Sequence, residues 1–264
     1  MGTTTTPTTF LDLITELLNA VRESTTITAT LNIAKRYINR ALHDMHIDSD
    51  FLWATRNATL LLHAPYTTGT VTVTQGATAW AGASTLWNTV NAFNQNNART
   101  TGKLTIAGTD IYSISAVGSD TSITANERFV AADVAASTYT YYEDEYALAS
   151  DFWQPIDKRQ FTDALPIELI GSREFYRRYP RNSTLGTPKT ATLIDLGPSG
   201  STANRPRIVF HPVPNAAMLI PYRYLTTNLA VTTGGAGATD LSNDTDEPIV
   251  PLRYRHAIVL HALA

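Results

Sequence analysis

The spacing between apolar residues changes along this chain, and that change limits the folds open to it. From residue 10 to residue 45, apolar residues recur every three to four positions, which predicts two amphipathic helices separated by a polar break. From Thr70 to Thr74, Thr and Val instead alternate at every second position, which predicts a strand with one buried face. The chain therefore begins as an αα-hairpin and continues as a β region.

Further segments alternate between strand and helix signals. A helix is predicted for residues 166–180, ended by Pro180, and a final helix for residues 248–264. The Asn-rich stretch 83–101 is either a long loop or contains a short helix at residues 85–93. The remaining predicted strands are 58–62, 77–80, 103–106, 111–114, 122–124, 139–142, 190–194, 207–211 and 219–225.

These elements predict an α+β protein, a helical scaffold with an inserted Thr-rich antiparallel β domain and a second small β region. We expect residues 1–63 to form the N-terminal helical part of the scaffold and residues 64–146 to form the inserted β domain. Residues 147–264 then supply a helix, antiparallel strands and a C-terminal helix that complete the scaffold. The last helix ends without a cap, so we expect either a longer natural chain or a docked end.

Composition excludes several classes of function. Only 16% of the residues are charged, and a surface poor in charge is easier to bury against other subunits. The net charge of −3 argues against sequence-independent binding of nucleic acid. The chain has no Cys, which excludes disulfides and thiolate chemistry. It lacks a signal-peptide pattern and an apolar run of about 20 residues, so we expect a protein made in a cytoplasm and no membrane partner.

Two clusters of titratable residues are candidate reactive sites. His43 and His46 are three positions apart, a spacing that allows a shared metal, but a polar helix end is the favoured interpretation. Glu143, Asp144 and Glu145 are consecutive, and consecutive strand residues point to alternating faces. We therefore expect a solvated strand end paired with a neighbouring Arg. The sequence predicts no catalytic residue, no cofactor and no metal, and hence a protein that is not an enzyme.

Basic and titratable residues near two predicted helices are the candidate interface. This set could meet an acidic surface, although a solvated helix face explains the first cluster equally well. The aromatic residues of the β region are expected to form its core rather than to stack on sugars. The candidate interface residues are Arg173, Arg177, Arg178 and Arg181, followed by Arg253, Arg255, His256 and His261.

The order of several short segments resembles the tailed-bacteriophage head-to-tail adaptors, also called neck or head-completion proteins. The resemblance extends over nearly the whole chain, and the order of the segments carries it more than any single one. The segments are Thr-Phe-Leu-Asp-Leu at 9–13, Phe-Leu-Trp at 51–53, Gly-Thr-Val-Thr-Val-Thr-Gln-Gly-Ala-Thr at 69–78, Tyr-Glu-Asp-Glu-Tyr-Ala-Leu-Ala-Ser-Asp-Phe at 142–152, Phe-Tyr-Arg-Arg-Tyr-Pro at 175–180, Gly-Thr-Pro at 186–188, Arg-Ile-Val-Phe-His-Pro-Val-Pro at 207–214 and Pro-Tyr-Arg-Tyr at 221–224.

The resemblance implies a structural virion protein, assembled in the host cytoplasm and located in the neck. Such adaptors form a homo-oligomeric ring, commonly of twelve copies, that binds the portal protein and the tail or next neck protein. The ring extends the channel through which genomic DNA passes without sequence-specific binding. Members of the family usually continue past the last helix, and this chain departs from that pattern. The alternatives are a carbohydrate-binding virion or surface module built on the β domain and, as a third class, a glycan-cleaving enzyme.

Overall fold

The computed structural model describes residues 6–48, 50–107, 109–156, 167–194 and 205–264. The α+β class predicted from the sequence is confirmed, because helices and many antiparallel strands occur in several sheets. The chain forms two compact units. The helical unit contains residues 1–57, 151–157 and 223–264, and the β unit contains residues 58–150 and 158–222. The three-part division made from the sequence stays a prediction.

The helices and strands have the following bounds in chain order. The helices are α1 (Phe10–Val21), α2 (Thr28–Asp48), α3 (Ser172–Arg178) and α4 (His256–Leu263), with 3-10 turns at Leu52–Ala54 and Leu252–Tyr254. The strands are β1 (Thr55–Leu62), β2 (Thr70–Val73), β3 (Ala79–Ala83), β4 (Lys103–Thr105), β5 (Ile111–Ser119), β6 (Ser122–Ala125), β7 (Val134–Ser137), β8 (Thr140–Tyr142), β9 (Glu145–Ala147), β10 (Phe152–Pro155), β11 (Glu168–Leu169), β12 (Leu185–Gly186), β13 (Thr190–Ile194), β14 (Arg207–His211), β15 (Val213–Pro214), β16 (Met218–Thr226), β17 (Ala230–Val231), β18 (Gly237–Ala238) and β19 (Glu247–Pro248).

Helix α1 begins and ends where its local sequence dictates. The Thr9 side chain accepts a hydrogen bond from the Asp12 backbone, and the Asp12 carboxylate accepts in return from the Thr9 backbone, which forms a capping box. Hydrogen bonds from Thr8 and Thr9 lower the pKa of Asp12 to about 2. The helix ends at Arg22, whose left-handed backbone lets its N–H reach the carbonyls of Leu18 and Asn19.

A loop at residues 240–246 packs against α2 and the start of α1 in the helical unit. Asn39 of α2 both donates to and accepts from the backbone of Leu241, while the Lys35 ammonium lies 2.8 Å from the Asp244 carboxylate. The Phe10 N–H donates to the Asp246 carbonyl, so the loop also contacts the start of α1. The buried core beneath it consists of Phe10, Leu13, Ile14, Leu17, Leu18, Ala34, Ile38, Ala41, Leu42, Leu229, Ala230, Leu241, Val250, Ile258 and Val259.

Both helices predicted in the second half of the chain are shorter in the structure. Residues 248–264 were predicted to form one helix, but α4 starts only at His256. Pro248 belongs to β19, and Pro251 adopts an extended backbone before a 3-10 turn, because prolines lack the N–H that a helix interior needs. The helix predicted at 166–180 is reduced to α3, because β11 pairs with β13 just before it. Pro166, its predicted start, lies outside the described residues.

The β unit is built around a seven-stranded antiparallel sheet. The strand order is β7-β2-β3-β6-β5-β4-β8, and the outer edge of β8 is covered by Tyr66, which exchanges two backbone hydrogen bonds with Tyr141. Trp80, Tyr112 and Phe129 pack in the core with ring centroids 5.2–5.4 Å apart. The prediction that the aromatic residues of this region form its core is confirmed for most of them, with Phe93 as an exposed exception.

A second sheet and an irregular loop complete the β unit. The second sheet has the order β11-β13-β14-β9 and is the small β region expected from the sequence. Residues 84–98 form a loop rather than the alternative short helix, because Ser84, Leu86 and Asn94 adopt a left-handed backbone that interrupts any helix.

We predict that Gly102→Ala destabilises the β unit. A Cβ at residue 102 would overlap the buried ring of Tyr141, whose hydroxyl is held by a hydrogen bond to Glu143. The overpacking should lower the free energy of unfolding by about 1–3 kcal/mol, measured by urea denaturation. Gly118→Ala is the matched control, since its Cβ would meet nothing closer than 3.5 Å. Equal stability of the two variants would contradict the prediction.

Candidate functional site

The acidic residues 143–145 do not form the solvated strand end that the sequence predicted. Glu143 and Asp144 lie between β8 and β9 and are both buried. They belong to neither strand, so the rule of alternating faces does not apply to them. The expected basic partners are present. Arg99 Nε donates to Glu143 Oε1 at 2.7 Å, and Arg207 pairs with Glu145 at 2.9 Å.

The Glu143 carboxylate accepts hydrogen bonds from several donors. Its Oε1 also accepts from the Tyr141 hydroxyl at 2.5 Å and from the Thr101 hydroxyl at 3.0 Å. Burial, followed by the nearby Glu143 charge, raises the pKa of Tyr141 well above its usual value. Tyr141 therefore remains a hydrogen-bond donor over the whole physiological range of pH.

Asp144 joins two parts of the β unit. Its Oδ2 accepts from Lys103 Nζ at 2.8 Å and from Asn182 Nδ2 at 3.0 Å. Asn182 also lies 2.9 Å from Nδ1 of His211, whose ring stacks on Tyr179 at a centroid distance of 3.6 Å. Burial lowers the pKa of His211. The carboxylates thus face cations, amides and hydroxyls of their own unit, an arrangement that fixes β4 against the 179–182 segment and β14.

The two histidines of α2 have different environments. His43 Nε2 lies 2.8 Å from Asp240, at the exposed surface that the sequence predicted. His46 instead is buried against Trp153, with ring centroids 4.3 Å apart, so the prediction of a polar helix end is wrong for this residue. Within the residues that the structure describes, no group of three or more His, Asp or Glu side chains could hold a metal ion.

The first four candidate interface residues lie on and after α3. Arg177 and Arg178 both pair with Glu174 at 2.6 Å on the exposed side of α3, while Phe175 on the same helix is buried. Arg181 pairs with Asp110 at 2.9 Å. Arg173 is exposed on the same helix. The guanidinium groups of Arg177, Arg178 and Arg181 remain half exposed or more, and their role at an interface stays a prediction.

The other four candidates lie near α4 and differ in accessibility. Arg255 is buried, and its guanidinium donates to Glu247 and to the carbonyls of Thr8, Pro248 and Val250. These bonds tie the start of α4 to the segment before α1, which leaves little of this side chain for a partner. His256 pairs with Glu16 at 2.8 Å, Arg253 lies over the Tyr254 ring at 4.7 Å, and His261 is exposed.

Two apolar surfaces were not predicted from the sequence. The first, the α1–α2 groove, has a volume of about 590 Å³ and is lined by Leu17, Leu18, Val21, Glu23, Thr30, Ile33, Ala34, Tyr37 and residues 262–264. The second is the Asn-rich loop (residues 84–98), which exposes Leu86, Val90 and Phe93. One sequence feature could have predicted the groove: Ile33 and Tyr37 lie outside the inner apolar stripe of α2 but are four positions apart, and so share a second face of the helix.

No protein-family model matches this sequence, and no curated protein matches it. In the described part of the chain, no helix is both long and apolar enough to cross a membrane.

We predict that Lys103→Met destabilises the protein by removing the cation that faces Asp144. Because Asp144 is 1% exposed, its charge would be left with only the Asn182 amide. Loss of one partner of a buried pair costs on the order of 3 kcal/mol in free energy of unfolding. Arg40→Ala, at an exposed pair with Asp44, should cost less than about 1 kcal/mol in the same urea titration. A Lys103→Met loss as small as the control would disprove the assignment.

We predict that His46 titrates below its ordinary pKa. Burial, the largest cause, lowers the pKa and His43 acts in the same direction, against a hydrogen bond to the Thr226 backbone and the charge of Asp50. The fold therefore favours neutral His46, and stability should fall as pH drops below about 6.5, where the unfolded chain binds the proton. NMR titration, with His46→Phe used to assign the resonance, measures the midpoint. A midpoint at or above the ordinary value would contradict the prediction.

Proposed function

We propose that this protein is a structural subunit of a ring that joins the portal to the tail in the neck of a tailed bacteriophage. The family resemblance motivates the identity of the assembly. The distribution of exposed apolar residues supports the more general part of the proposal, that the protein is a subunit of an assembly. Among the described residues, eleven of the eighteen exposed large apolar side chains belong to the helical unit, which holds fewer than half of the residues: Leu11, Val21, Ile27, Ile33, Tyr37, Ile47, Leu52, Leu252, Tyr254, Leu260 and Leu263.

Such a distribution favours contacts with other protein chains. Single exposed apolar residues are ordinary, but a concentration of them around a groove is typical of an interaction site. The groove side chains Val21, Ile33 and Tyr37 are each between 45% and 52% exposed. When one surface of a subunit binds a different surface of its neighbour, identical subunits form a closed ring if the rotation permits.

The remaining properties are compatible with a conduit for DNA. The net charge of −3 provides no basic footprint that would hold phosphates, which suits a channel through which DNA must move. The buried carboxylates of Glu143 and Asp144 are paired with Arg99 and Lys103 inside the β unit, where they supply structural contacts. In the proposed assembly the partners are identical copies, the portal protein and the next neck or tail protein, and the location is the virion neck.

A carbohydrate-binding module is the second candidate. The observation that favours it is Phe93, an aromatic ring that is 48% exposed and has Asn91 and Asn94 close to it in the sequence. Trp80 and Trp87 of the same region are buried and cannot stack on a sugar. The carbohydrate proposal is therefore the weaker of the two.

We predict that the purified full-length chain self-associates into closed rings of one copy number. Native mass spectrometry gives the number of copies, and negative-stain electron microscopy shows whether the particle is closed. A two-fold dimer, or a monomer at all accessible concentrations, would contradict the ring. Glycan-array binding by such a monomer would instead support the carbohydrate-binding module.

A further inference from the structure

We propose that an aromatic patch of the helical unit binds an acidic and apolar segment of another protein, in which Asp or Glu residues flank a Leu or an aromatic side chain. All residues of this patch belong to one unit, so a single copy carries the whole surface. The inference therefore goes beyond the proposed ring and does not depend on it. The residues of this Trp53 patch are Phe51, Leu52, Trp53, Leu252 and Tyr254, together with Arg56 and Arg253.

The rings of the Trp53 patch form a continuous stack. Phe51 lies on Trp53 with ring centroids 4.2 Å apart and an interplanar angle of 12°. Trp53 also stacks on Tyr254, which comes from the other end of the chain, at a centroid distance of 5.7 Å. Rings of this kind are enriched at protein interfaces, because they offer a large contact area while few of their torsions have to be fixed on binding.

Two 3-10 turns present the stack together with two exposed leucines. The turns at Leu52–Ala54 and Leu252–Tyr254 are each closed by a backbone hydrogen bond, of 3.0 and 2.8 Å. Leu52 is 79% exposed, the highest value for a large apolar side chain among the described residues, and Leu252 is 47% exposed. Trp53 packs against the core of the unit. A surface ordered in this way before binding loses less conformational entropy in the complex.

Two arginines give the Trp53 patch a preference for carboxylates. Arg56 Nη1 donates to the carbonyls of Trp53 and Thr55, at 2.8 and 2.9 Å, which fixes this guanidinium beside the stack. The Arg253 guanidinium lies 4.7 Å from the centroid of the Tyr254 ring. Neither guanidinium pairs with a carboxylate within the part of the chain that the structure describes. A guanidinium stacked on a ring keeps the N–H groups in its own plane free, and their geometry matches a carboxylate.

The surroundings of the Trp53 patch favour a peptide over a nucleic acid. A nucleic-acid strand would bring one phosphate for every stacked base. Asp48 and Asp50 are exposed just before Phe51 in the sequence, and they would repel such a row of phosphates. Leu52 and Leu252 offer no hydrogen bond to a phosphate or a sugar, but they can pack on apolar side chains. A segment that combines a few carboxylates with apolar residues uses both the arginines and the leucines.

Titration with short peptides tests the inference directly. The probe is a fluorescein-labelled twelve-residue peptide with two Glu residues on each side of a central Leu-Phe pair, and fluorescence anisotropy measures its binding to the full-length protein. We expect saturable binding of this peptide. A peptide with Lys in place of Glu, and one with Ser in place of Leu-Phe, should each bind at least about 10-fold more weakly. Labelled oligothymidylate of the same length should also bind at least about 10-fold more weakly.

Variants of exposed residues locate the binding to the Trp53 patch. Arg253→Glu and Leu52→Ser should each weaken binding of the acidic peptide by about 10-fold. Arg253→Glu should also strengthen binding of the Lys peptide relative to the wild type, a reversal that misfolding cannot produce. Arg36→Glu is the matched control, because Arg36 is an exposed arginine of the same unit outside the patch, and it should leave binding unchanged. Circular dichroism and thermal unfolding establish that each variant is folded.

The outcomes separate this inference from the proposed function. Equal binding of the acidic and Lys peptides, or no binding of the acidic peptide up to about 1 mM, overturns the inference. Acidic-peptide binding that Arg253→Glu and Leu52→Ser leave unchanged shows a different site and overturns it as well. Stronger binding of oligothymidylate than of the acidic peptide identifies a nucleic-acid surface instead. Native mass spectrometry of the same wild-type sample reports on the ring, which stands or falls independently of these results.

Discussion

The buried carboxylates of Glu143 and Asp144 are the constraint on which the β unit depends. Ionised groups at that depth are tolerated only beside cations and hydrogen-bond donors, and the fold supplies Arg99 and Lys103 for this purpose. The Arg99 guanidinium donates in addition to the Asn96 carbonyl at 2.7 Å. The Arg99 side chain, whose charge neutralises Glu143, therefore also holds the end of the Asn-rich loop in place. The position of this exposed loop therefore depends in part on the electrostatics of the interior.

Local patterns predicted those elements that short-range forces determine. The apolar stripe of α1 and its Thr9 cap lie within a few positions of one another, and the alternation at β2 defines both its strand and its buried face. The α+β class followed from these periods. The burial of Glu143 and Asp144 could not be predicted, because their partners Arg99 and Lys103 are about 40 residues earlier. No local pattern records a partner at that separation.

The incorrect predictions about the helices also arise from contacts between residues that are far apart in the sequence. The apolar spacing over residues 248–264 is compatible with a helix, but Pro248 and the pairing of β17 with β19 delay the start of α4. His46 looked like part of a polar helix end, yet Trp153 covers it. Of the candidate interface, Arg255 is engaged inside its own unit, whereas the arginines of α3 are exposed. Sequence identifies the residue types, and tertiary contacts decide which of them remain accessible.

An apolar contact between copies has a physical advantage in the proposed ring. DNA that passes through a channel brings phosphates and their counterions close to the subunits. Dissolved salt screens exposed ion pairs over about 10 Å at 0.1 M ionic strength. A contact made by apolar side chains of the α1–α2 groove, such as Val21, Ile33 and Tyr37, would contain no ion pair to screen, and its strength would follow the apolar area removed from water. Only 16% of the residues are charged, so the rest of the chain also offers few ion pairs that salt could screen. The proposed subunit contact would therefore keep its strength while the ionic surroundings of the channel change.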